Sequence, residues 1–308
     1  MSSSSSRVRK AVLPVAGLGT RVLPAAKTTP KNMLNVFDRP ILSHIVEEAR
    51  ASGIEHIIFV VGRGQGSIED YFDHAYEMEA ILKAKGKADI LAQVVADLPR
   101  PGEMSFVRQM APLGLGHAVF CARDLIGDEP FAVMLPDMLM MADTPALKQA
   151  IDAHETTGGN VVVVEQAPEG ETHKYGIVAL DGQQGRLNRM TGMVEKPPLG
   201  TEPSNLFISG RYVLTPDIFP LLADQQTGAG GEIQLTDAMA RLMKVRDFHA
   251  LEYEGATYDC GDPVGLLRAN VAYGLKHASL GEAARAAVAA LLQGSASPHK
   301  GPGETVAL

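Results

Sequence analysis

The sequence predicts an α/β fold: a Rossmann-like open sheet, mixed but mainly parallel, flanked by helices. Three observations predict it. Val12 to Val61 reads as strand, helix, strand, a βαβ unit that implies parallel pairing. The runs Phe131-Ala132-Val133-Met134-Leu135 and Val161-Val162-Val163-Val164 are continuously apolar, as strands covered on both faces are. Beyond Glu165, short strand-like segments follow one another across brief turns, which favours antiparallel pairing in the second half.

In chain order, Val12 to Val15 is an apolar strand entering the turn Ala16-Gly17-Leu18-Gly19-Thr20-Arg21. Pro40 and Gly53 bracket a helix from Ile41 to Ser52, and Glu55 to Val61 returns as a strand. Ile68, Tyr71, Phe72, Ala75, Met78 and Leu82 recur at helical spacing, predicting one helix from Gly66 to Lys85, capped by Ser67 and packed into the core. A second helix from Ala88 to Leu98 makes this stretch an excursion on the sheet's flank, and a candidate surface for a second copy of the chain. Met104 to Gln109 is a strand, and Pro112 to Ala118 a second glycine-rich turn into a helix. The strand Phe131 to Leu135 ends at Pro136-Asp137. A helix from Ala146 to Thr156 and a strand from Asn160 to Glu165 follow. Strands are then expected at Tyr175 to Leu180, Arg186 to Lys196, Leu206 to Leu214 and Phe248 to Tyr253. The remaining helices fall at Pro216 to Ala223, Gln234 to Arg246, Val264 to Lys276 and Leu280 to Leu292, with a turn from Tyr258 to Pro263. Residues 1–293 read as a single domain, and Gly294 to Leu308, rich in Gly, Pro and Ser, as a flexible tail.

Composition narrows the function. A content of 45% hydrophobic and 21% charged residues in 308 suits a soluble globular chain, and no apolar run is long enough to cross a bilayer. Met1 to Lys10 lacks the apolar core of a signal peptide, so the expected location is cytoplasmic. Two cysteines, Cys121 and Cys260, make no disulfide framework, and no Cys-x-x-Cys or His-Glu-x-x-His spacing suggests zinc. Formal net charge is −8, yet the first 40 residues hold Arg7, Arg9, Lys10, Arg21, Lys27, Lys31 and Arg39 against Asp38 alone. An acidic protein with one basic segment suits a small anion. Nucleic acid would ask for a broader basic face with aromatic platforms, and this chain has no Trp and 5% aromatics.

The first glycine turn is the centre of that segment. Gly17 and Gly19 let backbone N–H groups approach an anion, and Arg21 adds forked donors suited to phosphate. Val22 and Pro24 spoil the dinucleotide fingerprint, and Ala26-Lys27-Thr28 lacks the glycine of a P-loop. By themselves the glycines fit a plain βα turn equally well; Arg21, Lys27 and Lys31 tip the reading towards a nucleoside triphosphate. Ligands in open sheets gather beyond the carboxyl ends of strands, where this loop, Gln109 and Asp137 all fall. Asp137 and Asp259, each a plausible turn residue alone, together supply two carboxylates for a magnesium ion with retained waters. Glu195-Lys196 joins a sugar-hydroxyl acceptor to a phosphate-binding ammonium, or forms a surface ion pair. Both can face one site only if the strand bends before Pro197. Glu232 follows a glycine turn and is placed to face a ligand, while Thr236 and Asp237 are equally suited to capping.

As a set, these residues resemble the bacterial UTP–glucose-1-phosphate uridylyltransferases, within the sugar-phosphate nucleotidyltransferases. The resemblance spans roughly Lys10 to His277 and rests on Ala16-Gly17-Leu18-Gly19-Thr20-Arg21, Pro30-Lys31, Gly114-Leu115-Gly116-His117-Ala118 and Leu135-Pro136-Asp137. Tyr175-Gly176, Val194-Glu195-Lys196-Pro197, Gly210-Arg211-Tyr212, Gly231 to Asp237 and Asp259-Cys260-Gly261 extend it. It implies the nucleotide-diphospho-sugar transferase fold, with a nucleotide-binding part at about residues 8–158 and a sugar-binding part at about 159–293. Ala16, Gly17, Leu18, Gly19 and Thr20 would wrap the triphosphate of UTP, with Arg21 and Lys31 on its oxygens. Gln109 and Gly114 would read uracil. Gly176, Glu195, Gly210 and Glu232 would line the sugar of glucose 1-phosphate, and Lys196 would meet its phosphate. Asp137 and Asp259 would hold Mg²⁺. The assembly expected is a homo-oligomer, a dimer or tetramer. Asn32 and Asn35 stand where the family usually has Glu and Pro. The competing readings are a relative using another base or sugar 1-phosphate, an inactive subunit sensing nucleotide sugars, and, more distantly, a dehydrogenase.

Overall fold

The computed structural model describes residues 7–294; the expected tail from 295 onward and the first six residues lie outside the described residues. Strand β1 (Lys10–Pro14) leads into three short 3₁₀ turns, Thr20–Val22, Ala25–Lys27 and Lys31–Met33. A small hairpin of β2 (Asn35–Val36) and β3 (Arg39–Pro40) then delivers the chain to α1 (Ile41–Ala51). On α1, Ile41, Leu42, Ile45, Val46 and Ala49 are buried, the spacing of one helical face. β4 (His56–Val61) pairs parallel with β1, as the βαβ reading requires. Helices α2 (Gly66–Tyr71), α3 (Tyr76–Ala84) and α4 (Ala88–Val95) precede β5 (Met104–Arg108). Next come α5 (Leu115–Cys121), α6 (Arg123–Ile126), β6 (Phe131–Met134), β7 (Met138–Met141) and α7 (Ala146–Thr157). Gly158, at φ 69°, ends α7 in the left-handed conformation that glycine tolerates best.

The second half contains β8 (Asn160–Gln166), β9 (Gly176–Leu180), β10 (Leu187–Glu195) and β11 (Leu206–Leu214). Helices α8 (Ile218–Ala223) and α9 (Leu235–Leu242), strands β12 (Phe248–Glu252) and β13 (Ala256–Asp259), and helices α10 (Pro263–Lys276) and α11 (Gly281–Leu292) complete it. Asp262 caps α10 by accepting from Val264 N and Gly265 N, with Pro263 in the first turn.

One nine-stranded sheet runs β5-β4-β1-β6-β11-β8-β12-β10-β9. It is mixed: β5, β4, β1 and β6 are all parallel, as are β8 and β12, while β11, β10 and β9 pair antiparallel with their neighbours. Strand alternation divides the core between the two faces. Leu13, Ile57, Phe59 and Val163 pack on one side with α1 and α7, and Val12, Ile58, Val60 and Val162 on the other with α5, α8 and α9. Because β11 lies between β6 and β8, the two halves of the sequence share one sheet.

Several expectations change. The helix expected from Gly66 to Lys85 is two helices, broken between Phe72 and Ala75, where the His74 N–H turns to Asp73 Oδ1 at 2.7 Å. Ser67 does not cap it; Gln65 stands at that position and spends its side chain on Gly62 N (2.7 Å) and Val15 O (2.8 Å). Core packing holds for Ile68 and Phe72, and half-buried Tyr71 packs against the same cluster, but Met78, further along, is 54% exposed. The reason is that α3 packs against α4 instead of the sheet. The helix expected to reach Arg246 ends at Leu242. Asp259 lies not in an isolated turn but at the end of β13, paired with β7.

Candidate active site

The parallel strands β1, β5 and β6 open their carboxyl ends on one edge, and the site is built there. Beyond β1, Gly19 takes φ 64°, and a Cβ at that position would stand 2.9 Å from Lys31 Cβ. Glycine is needed on both counts: the left-handed backbone and the close approach of the lysine. The Thr20–Val22 turn then swings Arg21 towards the sheet edge, with its side chain 63% exposed. Lys31 comes in beneath, its Nζ donating to Asp137 Oδ2 at 2.5 Å. Of the two departures from the family pattern, Asn32 is buried under the loop and donates to Val15 O at 3.3 Å, whereas Asn35 is exposed.

Asp137 sits in the turn from β6 to β7, and β13 pairs antiparallel with β7 so that Asp259 is opposite Met138. Cys260 N donates to Asp137 O at 2.7 Å and closes the junction. Arg21 reaches both carboxylates, 3.7 Å from Asp137 Oδ2 and 3.8 Å from Asp259 Oδ2. Burial opposes the charge on Asp137, yet Lys31, by its charge and hydrogen bond, and Arg21 outweigh it and hold the carboxyl below its usual range. Burial pushes Asp259 the other way, and the charge of Asp137 adds to the rise against the Gly261 N–H and Arg21. Two carboxylates converge, and the cations present do not satisfy them equally. Hard oxygen donors in that arrangement fit Mg²⁺, which takes one or two carboxylates and fills its remaining positions with water and substrate phosphate. Among the described residues no group of three or more His, Cys, Asp or Glu is arranged to hold a metal alone. Burial raises the Cys260 thiol to about 12, so it is a packing group rather than a nucleophile.

A cleft of about 630 Å³ opens from these groups, lined by Arg21, Asp137, Asp259, Lys196, Phe207 and the stretch His173-Lys174-Tyr175. Strand β10 ends at Glu195, and Lys196 takes φ 47°, a conformation rare outside glycine, with its N–H on Tyr175 O at 2.9 Å. The backbone therefore bends before Pro197, and the two side chains also form the ion pair that was the other expectation, Lys196 Nζ lying 3.5 Å from Glu195 Oε1. Glu195 accepts from Thr236 Oγ at 2.7 Å, so Thr236 is a partner of Glu195 rather than the helix cap. A Cβ on Gly176 would lie 3.1 Å from Glu195 Oε2, which explains why that position is small. Gly210, at φ 92°, makes a bulge in β11 against Leu135.

A third cluster sits beyond β5. Gln109 donates to Gly114 O (3.1 Å) and hydrogen-bonds His117 Nδ1 (3.0 Å), a ring whose pKa burial lowers. Gly114, at φ 106°, passes so close to the Glu232 segment that a Cβ would meet Glu232 Cβ at 2.8 Å. Backbone bonds Ile233 N→Leu113 O and Gly116 N→Ile233 O, both 2.8 Å, stitch the two loops together. The structure thus joins Arg21, Asp137, Asp259 and Lys196 around one cleft, with Lys31 paired to Asp137, Gly176 with Glu195, and Gln109 with Gly114 and Glu232. Sequence reasoning missed His173 and Lys174, whose only signal was their place before Tyr175-Gly176.

Cations held on carboxylates at the edge of an open α/β sheet, with a further lysine across a cleft, are the equipment of an enzyme that works on phosphorylated substrates. Similarity makes the class specific: the nucleotidyl transferase family model matches residues 10–275, and the chain belongs to that family. It is 47% identical over 274 residues to the UTP–glucose-1-phosphate uridylyltransferase of Bacillus subtilis, covering 89% of this chain and 94% of that one. With UTP–glucose-1-phosphate uridylyltransferase 2 of Staphylococcus saprophyticus it shares 49% identity at the same coverage. The solved structure of a UTP-bound UGPase from Acinetobacter baumannii superposes with a TM-score of 0.86 at 42% identity, over 92% of this chain and 99% of that one.

Proposed function

We propose that this protein transfers the uridylyl group of UTP to glucose 1-phosphate, forming UDP-glucose and pyrophosphate. The names of its relatives supply the substrates, and one observation carries the chemistry: Arg21 and Lys31 interlock with Asp137 and Asp259 at the edge of the cleft that Lys196 also lines. An oxygen of the sugar phosphate forms a bond to the α-phosphorus of UTP. The bond from that phosphorus to the bridging oxygen breaks, and its electron pair leaves with pyrophosphate. The attacking oxygen is already ionised, since a terminal phosphate carries about −1.5 to −2 at pH 7, so no side chain need remove a proton. What the protein must overcome is repulsion between two anions, by holding them in line among fixed positive charges.

In this reading Ala16, Gly17, Leu18, Gly19 and Thr20 present backbone N–H groups to the triphosphate. Arg21 and Lys31 bind its oxygens, Lys196 binds the sugar phosphate, Gln109 and Gly114 read the base, and Gly176, Glu195, Gly210 and Glu232 contact the sugar. Residues 8–158 supply most of the nucleotide side and 159–293 the sugar side of one domain, with Asp259 returning to the first part. Asp137 and Asp259 would hold Mg²⁺, which when bound neutralises charge on the triphosphate and the departing pyrophosphate. The free thiols Cys121 and Cys260 suit a reducing, cytoplasmic setting. Tyr76, Met78 and Ile81, uncovered on α3, support self-association into a homo-oligomer, which analytical ultracentrifugation tests.

The decisive assay is pyrophosphate release across UTP, dTTP, ATP and CTP and across several sugar 1-phosphates. UTP with glucose 1-phosphate is expected to be fastest, and chelation of Mg²⁺ to stop turnover. Indifference to UTP would overturn the assignment.

A further inference from the structure

Gly210-Arg211-Tyr212 belongs to the set of motifs that marks this chain, yet nothing above gives Arg211 a task. Its side chain is fully buried, 0% exposed, in a protein interior where an apolar side chain of similar volume is often as stable or more so. All five of its N–H groups are used. Nε and Nη2 form a fork on Glu48, at 3.0 and 2.6 Å. Nη1 donates to Leu135 O (3.1 Å) and Gly210 O (3.2 Å), and Nη2 also donates to Met138 O (2.8 Å). Leu135 and Met138 are the two ends of the four-residue turn whose third residue is Asp137, and that turn's own closing bond, Met138 N→Leu135 O, is long at 3.4 Å. The guanidinium therefore bridges both ends of the turn from behind. Glu48 anchors it in turn to α1, and accepts from Leu147 N at 3.1 Å at the start of α7. Gly210, at the bulge in β11, adds its carbonyl to the two from the turn on this one planar group.

We infer that Arg211, backed by Glu48, is a positioning residue that sets the Asp137 carboxylate for its divalent cation. This rests on the reading of Asp137 as a metal ligand. A lysine would keep the charge opposite Glu48 but cannot span both ends of the turn with a planar fork. Loss of an outer partner of a metal site costs about 10–100-fold in metal affinity.

The test titrates Mn²⁺ into the protein–UTP complex by electron paramagnetic resonance for the parent, Arg211→Lys, Glu48→Gln and Asp137→Asn. Binding of UDP-glucose in EDTA and thermal melting are measured on each. The expected result is about tenfold or weaker Mn²⁺ affinity in Arg211→Lys and Glu48→Gln, with UDP-glucose binding in EDTA unchanged. Parent-like Mn²⁺ affinity in folded variants overturns the inference. So does a parallel fall of metal and nucleotide affinity, or failure of both variants to fold, since either result marks the pair as scaffold only. Parent-like Mn²⁺ affinity in Asp137→Asn would instead remove the metal-ligand reading itself.

Discussion

Arg21 and Asp137 face each other across 3.7 Å, but the turns that carry them are held in different ways. The arginine stands on a 3₁₀ turn, its side chain 63% exposed, next to Leu18 at 72% and to Gly17, around which a Cβ would meet nothing within 4 Å. The aspartate side chain is 16% exposed, and its turn is bridged from behind by a buried guanidinium. A loop proposed to admit a triphosphate and release pyrophosphate benefits from room to adjust. A carboxylate proposed to share a cation with a second strand does not, because a displacement of a fraction of an ångström would change coordination. The comparison separates two ways of building a charged site: an exposed, adaptable arginine over a fixed carboxylate that Lys31 holds from beneath.

The largest effect should come from the fixed side. Asp137→Asn removes the proposed ligand for Mg²⁺ and is expected to lower kcat/KM about 10³-fold. It should also cost stability, on the order of 1–3 kcal/mol, because Lys31 is only 16% exposed and loses its partner. Steady-state kinetics and denaturant unfolding check both. Arg21→Ala tests the adaptable side. We expect a loss of about 10²-fold in kcat/KM with unfolding unchanged, since the side chain is mostly in solvent. A marked loss of stability there would break the contrast.

How much of this was legible in sequence depends on how locally each feature is written. β1, α1, β4, β6 and β8 announce themselves through apolar runs and their bracketing Pro and Gly, and the fold followed. That Arg21 would lie beside Asp137 and Asp259 was legible because each of the three comes at the end of a strand-like segment, where open sheets gather their ligands. The pairing of β7 with β13 was not, because neither short segment names a partner across so much chain. The same holds for Glu48 and Arg211, 163 residues apart, and for Thr236 on Glu195, 41 apart. Helical spacing from Gly66 to Lys85 was read correctly as helix, but as core it holds only for Ile68, Tyr71 and Phe72 and fails on α3, since periodicity identifies an apolar face and not what covers it.

Gly19→Ala sharpens the comparison at smaller scale. An alanine at φ 64° pays about 1–2 kcal/mol for the left-handed backbone, and its Cβ would press on Lys31 Cβ from 2.9 Å. The expected result is a fall of a few degrees in Tm with a raised KM for UTP, as the loop and Lys31 shift together. Unchanged KM would show that the loop's backbone is not what holds the triphosphate.

Asp259→Asn carries the smallest stability effect and the most informative sign. The folded-state pKa of Asp259 is raised, chiefly by burial and then by Asp137. Its charged form is thus disfavoured in the folded protein relative to the unfolded chain. Above the folded pKa this carboxylate subtracts from stability, and the penalty fades as pH falls towards the unfolded value of about 3.9. Asp137 has the opposite linkage: its lowered pKa contributes stability above about pH 3.9 that is lost as pH falls through the folded value. In EDTA at pH 7, Asp259→Asn should therefore melt above the parent, and the gain should shrink towards pH 4, while uridylyl transfer collapses. Added Mg²⁺ with UTP should raise the parent's Tm and not the variant's, because ligand binding stabilises only the state that binds it. A variant less stable than the parent at pH 7 in EDTA would mean that Asp259 is held by Arg21 and Gly261 for the fold's sake. The two carboxylates would then share one role instead of dividing it.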